Sequence, residues 1–123
     1  MRGFRVWSNY WKMYAFDAEL YGDGSLYAMF EDDDGVTHHE NTDLVLEFDT
    51  GLKDKNGKEI YEGDVVNIQG IKYYVDFEYG GFWFNNDNRK WKANRPFTHF
   101  QEINDAEVIG NIHENPELLK EEE

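Results

Sequence analysis

Between Gly70 and the pair Gly80-Gly81, two sets of residues alternate without a break. Ile71, Tyr73, Val75, Phe77 and Tyr79 form one set; Lys72, Tyr74, Asp76 and Glu78 form the other. Successive side chains of a strand point to opposite faces, so this period of two predicts a β-strand with one apolar face. A helix would scatter the five apolar residues around its circumference. Gly80-Gly81 supplies a turn, and Phe82-Trp83-Phe84 starts a returning strand, so the segment predicts an antiparallel hairpin. A lone hairpin is marginal in water and needs further strands or a packing partner. The chain is therefore constrained first to β structure.

The segment upstream, Thr50 to Val66 (TGLKDKNGKEIYEGDVV), carries the densest turn chemistry. Asp54-Lys55-Asn56-Gly57 reads as a turn, since Asn-Gly is the commonest pair for a two-residue hairpin, whose two central residues take positive φ. Lys53, Lys55 and Lys58 place that tip in water. Ile60 and Tyr61 read as an anchor to a core. Glu62-Gly63-Asp64 is a second turn, with Gly63 free to take positive φ and Asp64 able to accept bonds from neighbouring backbone N–H groups. Val65 and Val66 then open a β-branched strand. Asn56, Gly57, Gly63 and Asp64 are thus structural turn residues, and a Gly-Asp-x-Val entry of this kind is common in small SH3-like barrels.

This segment resembles the hallmark stretch of the YopX-like family of phage and prophage proteins. FRVWSNYWKMY (Phe4 to Tyr14) and VIGNIHENPELL (Val108 to Leu119) are similar to two further family segments, in the right order. The resemblance implies a small, mostly β protein with an SH3-like barrel in its carboxy-terminal part and a phage or prophage origin. It implies no enzymatic residues. The acidic stretch 21–41 matches none of its motifs.

Charge is unevenly placed. The net charge is −14, and mean hydropathy is −0.83 although aromatics make up 17% of the chain. Residues 1–50 hold three cations against eleven acids, residues 51–100 eight against seven, and residues 101–123 one against eight. Such a chain repels a phosphate backbone at long range, which argues against nucleic acid as a partner. With no cysteine, disulfides and thiolate metal sites are excluded. No apolar run nears the ~20 residues of a membrane helix, and the start MRGFRVW lacks the apolar core of a secretory signal. A cytoplasmic protein of a bacterial host is the expectation, with no cofactor and no membrane contact.

Along the rest of the chain, Phe4 to Tyr14 reads as a strand pair turning at Ser8-Asn9-Tyr10, with Trp7, Trp11 and Tyr14 as core residues. Tyr21-Gly22-Asp23-Gly24 is a turn, and Ser25 to Phe30 a strand. Glu31-Asp32-Asp33-Asp34-Gly35 departs from the spacing of a calcium loop and reads as a solvated hairpin tip. His38-His39-Glu40 reads as a polar loop; on a strand, His38 and His39 would face opposite ways. Leu44 to Asp49 is a strand, and Glu107 to Ile112 the closing one, with Gly110 at a bulge or close backbone contact. Asn115-Pro116-Glu117 reads as the start of a short helix.

Arg89, Lys90, Trp91, Lys92 and Arg95 form the one basic cluster, and cations interleaved with an aromatic ring can hold nucleic acid. They can equally pair with the acidic ends of the chain or with another subunit. No phosphate-binding glycine loop, dinucleotide fingerprint, zinc-protease helix or nucleophile elbow is present. The only serines are Ser8 and Ser25, neither with a His nearby in sequence. Asp64 is the most constrained acid, and a turn bond accounts for it.

These readings converge on a mainly β protein: an amino-terminal β-rich lobe over 1–49, an SH3-like barrel over 50–114, and a short helix with an acidic tail over 115–123. The expected function is that of a non-enzymatic accessory protein whose exposed aromatics serve protein contacts, including a homo-oligomer. The alternatives are a nucleic-acid-associated module working through Arg89 to Arg95, and an acidic DNA mimic that occupies a host protein.

Overall fold

The computed structural model describes residues 3–78, 81–86, 95–96 and 105–119. The chain is mainly β and divides after Phe48 into two compact units.

The first unit, Gly3–Phe48, holds β1 (Phe4–Ser8), β2 (Met13–Tyr14), β3 (Asp17–Leu20), β4 (Leu26–Glu31), β5 (Thr37–Glu40) and the first half of β6 (Leu44–Lys53). β1 runs antiparallel between β2 and β6, with Trp7 opposite Tyr14 on one side and Val45 on the other. β4 lies between β3 and β5. Val6, Ala28 and Phe30 form the buried centre, with Phe4, Met13 and Leu46 packed around it. β5 corrects the reading of His38-His39-Glu40 as a loop. Its composition is polar, but it pairs with β4 from Ala28↔Glu40 to Glu31↔Thr37, and cross-strand packing outweighs weak intrinsic propensity.

The second unit starts at Asp49 and adds β7 (Glu59–Tyr61), β8 (Asp64–Ile68), β9 (Ile71–Glu78), β10 (Gly81–Asn85), β11 (Arg95–Pro96) and β12 (Glu107–Asn111). The sheet order is β11-β10-β9-β8-β12. β9 matches the alternation in the sequence: Tyr73 and Val75 are buried, while Phe77, next on that face, is exposed. Its return on β10 pairs Phe82 with Phe77 and Phe84 with Val75. Ile60, Val66, Ile68, Tyr73, Val75 and Phe84 make the core. Each large aliphatic or aromatic side chain withdrawn from water there contributes about 1.5–3 kcal/mol.

Two local expectations are revised. Asp54 to Gly57 is a turn, as the sequence predicts, but Asn56-Gly57 is not its two-residue centre. Asp54 N–H donates to Lys58 O (2.7 Å) and Gly57 N–H to Asp54 O (3.0 Å), and of the pair only Gly57 has positive φ, +83°. This is a three-residue loop closed by a glycine bulge. The two-residue turn with both φ positive falls instead at Gln69-Gly70 (+53° and +86°), between the paired Ile68 and Ile71. The second revision is at the carboxy-terminal end, where Pro116–Leu119 is one 3-10 turn rather than an α-helix. Asn115 holds the cap position, its carbonyl accepting Leu118 N–H (3.1 Å), but its side chain turns away from the helix. Its Oδ1 accepts the backbone N–H of Asn111 (3.2 Å), tying the turn to the end of β12.

Gly110 sits at a shift of register in the β12–β8 pairing. A Cβ there would lie 2.5 Å from Asn115 Oδ1 and 2.9 Å from Leu118 Cδ1, so a close approach requires glycine at this bulge.

Candidate functional site

The turn residues sit where backbone geometry demands them. Gly63 has φ +88°, donates its N–H to Val75 O (2.8 Å) and accepts from Ile112 N–H (2.9 Å). Asp64, 2% exposed, accepts the N–H of Tyr61 at 2.8 Å. Asp54 is buried as well, with Oδ1 accepting from Asn56 and Lys58 N–H and Oδ2 from Val108 N–H, all at 2.9 Å. Burial pushes its carboxyl up; the three N–H bonds and the Lys58 charge outweigh that and hold it below the usual range. These acids act on the fold.

The basic cluster is in a different position. Arg89, Lys90, Trp91 and Lys92 lie outside the described residues, and of Arg95 only the backbone is described, on β11 opposite Phe84.

In the first unit, three polar groupings surround the core. Glu47, nearly fully buried, accepts from Arg5 Nε (2.8 Å) and Tyr14 Oη (2.9 Å), and the Arg5 guanidinium lies 4.5 Å from the centre of the Tyr14 ring. His38 stacks against Trp11 at 4.4 Å, and its Nε2 lies 2.8 Å from Asp32 Oδ2. The His38 bond, with N–H bonds from Val36 and Asp34, holds the Asp32 carboxyl below its usual range. Asp32 therefore closes its own loop, as a hairpin tip should. The third grouping is at the β3–β4 turn. Tyr21 meets the Tyr27 ring edge-on at 6.1 Å and donates its hydroxyl to Glu19. That bond and the Glu19 charge push the Tyr21 phenol up.

This turn borders a cleft of about 390 Å³. Leu20, Leu26, Leu44 and Leu46 line it with apolar surface; Ser25, Asn41 and Asp43 supply its polar edge, and Tyr27 flanks it. Asp43 holds φ at +56°, a conformation that Asp adopts more readily than most residues. Asn9 fixes it there, donating its backbone N–H to Asp43 O (3.1 Å) and its Nδ2 to Oδ1 (3.2 Å).

Exposed large apolar side chains gather in the same unit. Of the eight among the described residues, Tyr10, Phe16, Leu20, Tyr21, Tyr27, Val36 and Phe48 belong to it, and only Phe77 to the second. Sequence reasoning missed the cleft because it lies where two turns meet, Tyr21–Ser25 and Asn41–Asp43. The one signal in the sequence was the apolar character of Leu20, Tyr21 and Tyr27 inside an acidic stretch.

A family model described as YopX protein matches residues 3–120. Among solved structures, the chain is similar to protein EF1440 from Enterococcus faecalis, with a TM-score of 0.65 at 26% identity, covering 98% of this chain and 99% of that one. No curated protein matches. The family model covers nearly the whole sequence, both units included, and the chain belongs to the YopX protein family.

Proposed function

We propose that the chain is a phage- or prophage-encoded accessory protein that works in the bacterial cytoplasm by binding another protein, itself included, rather than by catalysis. One observation carries this: seven of the eight exposed large apolar side chains among the described residues belong to the first unit, and one of them, Leu20, lines a leucine-rich cleft. Exposed apolar surface around a cleft is where interaction sites are commonly found. The engagement of Asp32, Glu47, Asp54 and Asp64 in structural bonds supports a non-enzymatic role. The sheet order of the second unit, with β8 between β9 and β12, supports an SH3-like barrel as its architecture.

The test has two arms. Sedimentation velocity on the pure protein reads self-association, and immobilised protein challenged with lysate of a phage-carrying host reads partner capture. An assembly, or one specifically retained protein at physiological salt, is expected. A strict monomer that retains nothing overturns the proposal.

A further inference from the structure

Resting on the reading of this chain as a protein-binding module, we infer that the cleft of the first unit docks a cationic polypeptide segment, one that presents a leucine-sized side chain flanked by Lys or Arg. The apolar half of the inference comes from the lining. Four leucines face a space of about 390 Å³, at the lower end of the roughly 300–1,000 Å³ usual for ligand pockets. Leu20, opposite Leu26 and on the same face of the β3–β4 pair, keeps 40% of its surface exposed, so the apolar surface continues from the cleft to the outside. An aliphatic side chain seated there loses its water contact and covers Leu20.

The cationic half comes from charge. Residues 3–48 carry ten acids against two cations, Arg5 and Lys12, and Arg5 is bonded to Glu47. The potential over this unit therefore favours Lys and Arg and rejects an acidic segment. Asp43, in the wall of the cleft, localises that preference: its exposed carboxylate is bonded among the described residues only through Oδ1 to Asn9. A second copy of this chain, at −14, is the wrong charge for the same seat.

The test uses the full-length protein and fluorescence anisotropy with three labelled peptides, which alternate Leu with Lys, Ser with Lys, and Leu with Glu. The Leu–Lys peptide is expected to bind, more weakly as salt rises, with the Ser–Lys peptide about tenfold weaker and the Leu–Glu peptide silent. Leu20→Lys and Asp43→Asn are each expected to weaken Leu–Lys binding several-fold, whereas Phe77→Ser in the second unit leaves it unchanged. Asn tolerates the positive φ at position 43; if Leu20→Lys fails to fold, Asn41→Lys, at an exposed residue lining the same cleft, replaces it. Three results overturn the inference: no binding of the Leu–Lys peptide at low salt, equal binding of the Ser–Lys peptide, or folded cleft variants that bind as well as wild type. Lysate capture separates the two levels. A partner retained equally by wild type and Leu20→Lys sinks the cleft inference alone, and loss of all capture and self-association sinks the broader reading.

Discussion

Asp32 and Asp54 begin loops of the same local design. In each, the Asp side chain accepts two N–H groups from its own loop, those of Asp34 and Val36 in one and of Asn56 and Lys58 in the other. In each, a glycine three residues on donates to the Asp carbonyl at 3.0 Å, at φ +82° for Gly35 and +83° for Gly57. The difference lies in the second carboxylate oxygen. Asp32 turns it to His38, a partly exposed side chain on its own hairpin. Asp54 turns it to the backbone of Val108, fifty-four residues away, and is buried there. The same short motif is therefore a surface ornament in the first unit and a tertiary joint in the second. Local sequence fixes the loop; the fold decides what the loop is worth.

The scale for breaking this comparison is set outside both loops. Gly63→Val places a β-branched side chain at φ +88° in a turn bonded to β9 and to Ile112 just after β12, and is expected to cost about 3 kcal/mol or to prevent folding. Normal folding with loss of a partner would instead make that turn a binding element. Next comes Asp54→Ala. It strips acceptors from three N–H groups, one of them on β12, and is expected to lower stability by about 2–3 kcal/mol in urea denaturation.

The same joint sets the acid limb. The Asp54 pKa is lowered on folding, so its contribution is complete above the ordinary carboxylate value of about 4 and fades as pH falls below it. Asp54→Asn should flatten the loss of stability in that window, and an unchanged acid limb would show that the Val108 bond contributes little.

Gly35→Ala and Gly57→Ala test the local half of the comparison. Neither Cβ meets an atom closer than 3.7 Å, so each change adds only backbone strain, about 1–2 kcal/mol. The two thermal shifts should be nearly equal, and a large difference would mean that tertiary context already acts through the glycine. Asp32→Ala should have the smallest effect, well below Asp54→Ala. A loss as large as that of Asp54→Ala would mean the exposed loop is not a surface ornament.

Sequence legibility follows the same division. β9 was readable because a strand buried on one face writes its burial into every second residue, and Tyr73 and Val75 obey that rule. Asp64 and Gly63 were readable because their constraint is local. β5 was not, because Thr37, His38, His39 and Glu40 are held by pairing with β4 and by the Trp11 ring, neither of which is local. The Asn56-Gly57 turn was misread for the opposite reason. The dipeptide favours a two-residue loop, yet Asp54 closes a longer one by accepting the N–H groups of Asn56 and of Lys58. The cleft was illegible because its leucines come from three strands, β3, β4 and β6, and its polar residues from the turns between strands.

Strand β6 gives this architecture a consequence for modularity. Its first half, Leu44 to Phe48, pairs with β1, and its second half pairs with β7 at Asp49↔Tyr61 and Lys53↔Glu59. The boundary between the units falls inside this single strand, with no linker between them. Recombination cannot transplant either unit without joining the new partner inside a paired strand rather than at a loop. Selection must therefore inherit the acidic cleft-bearing unit and the well-packed unit together, and a protease with access only to loop tips should nick the hairpins at Asp33 or Lys55 before it parts the two.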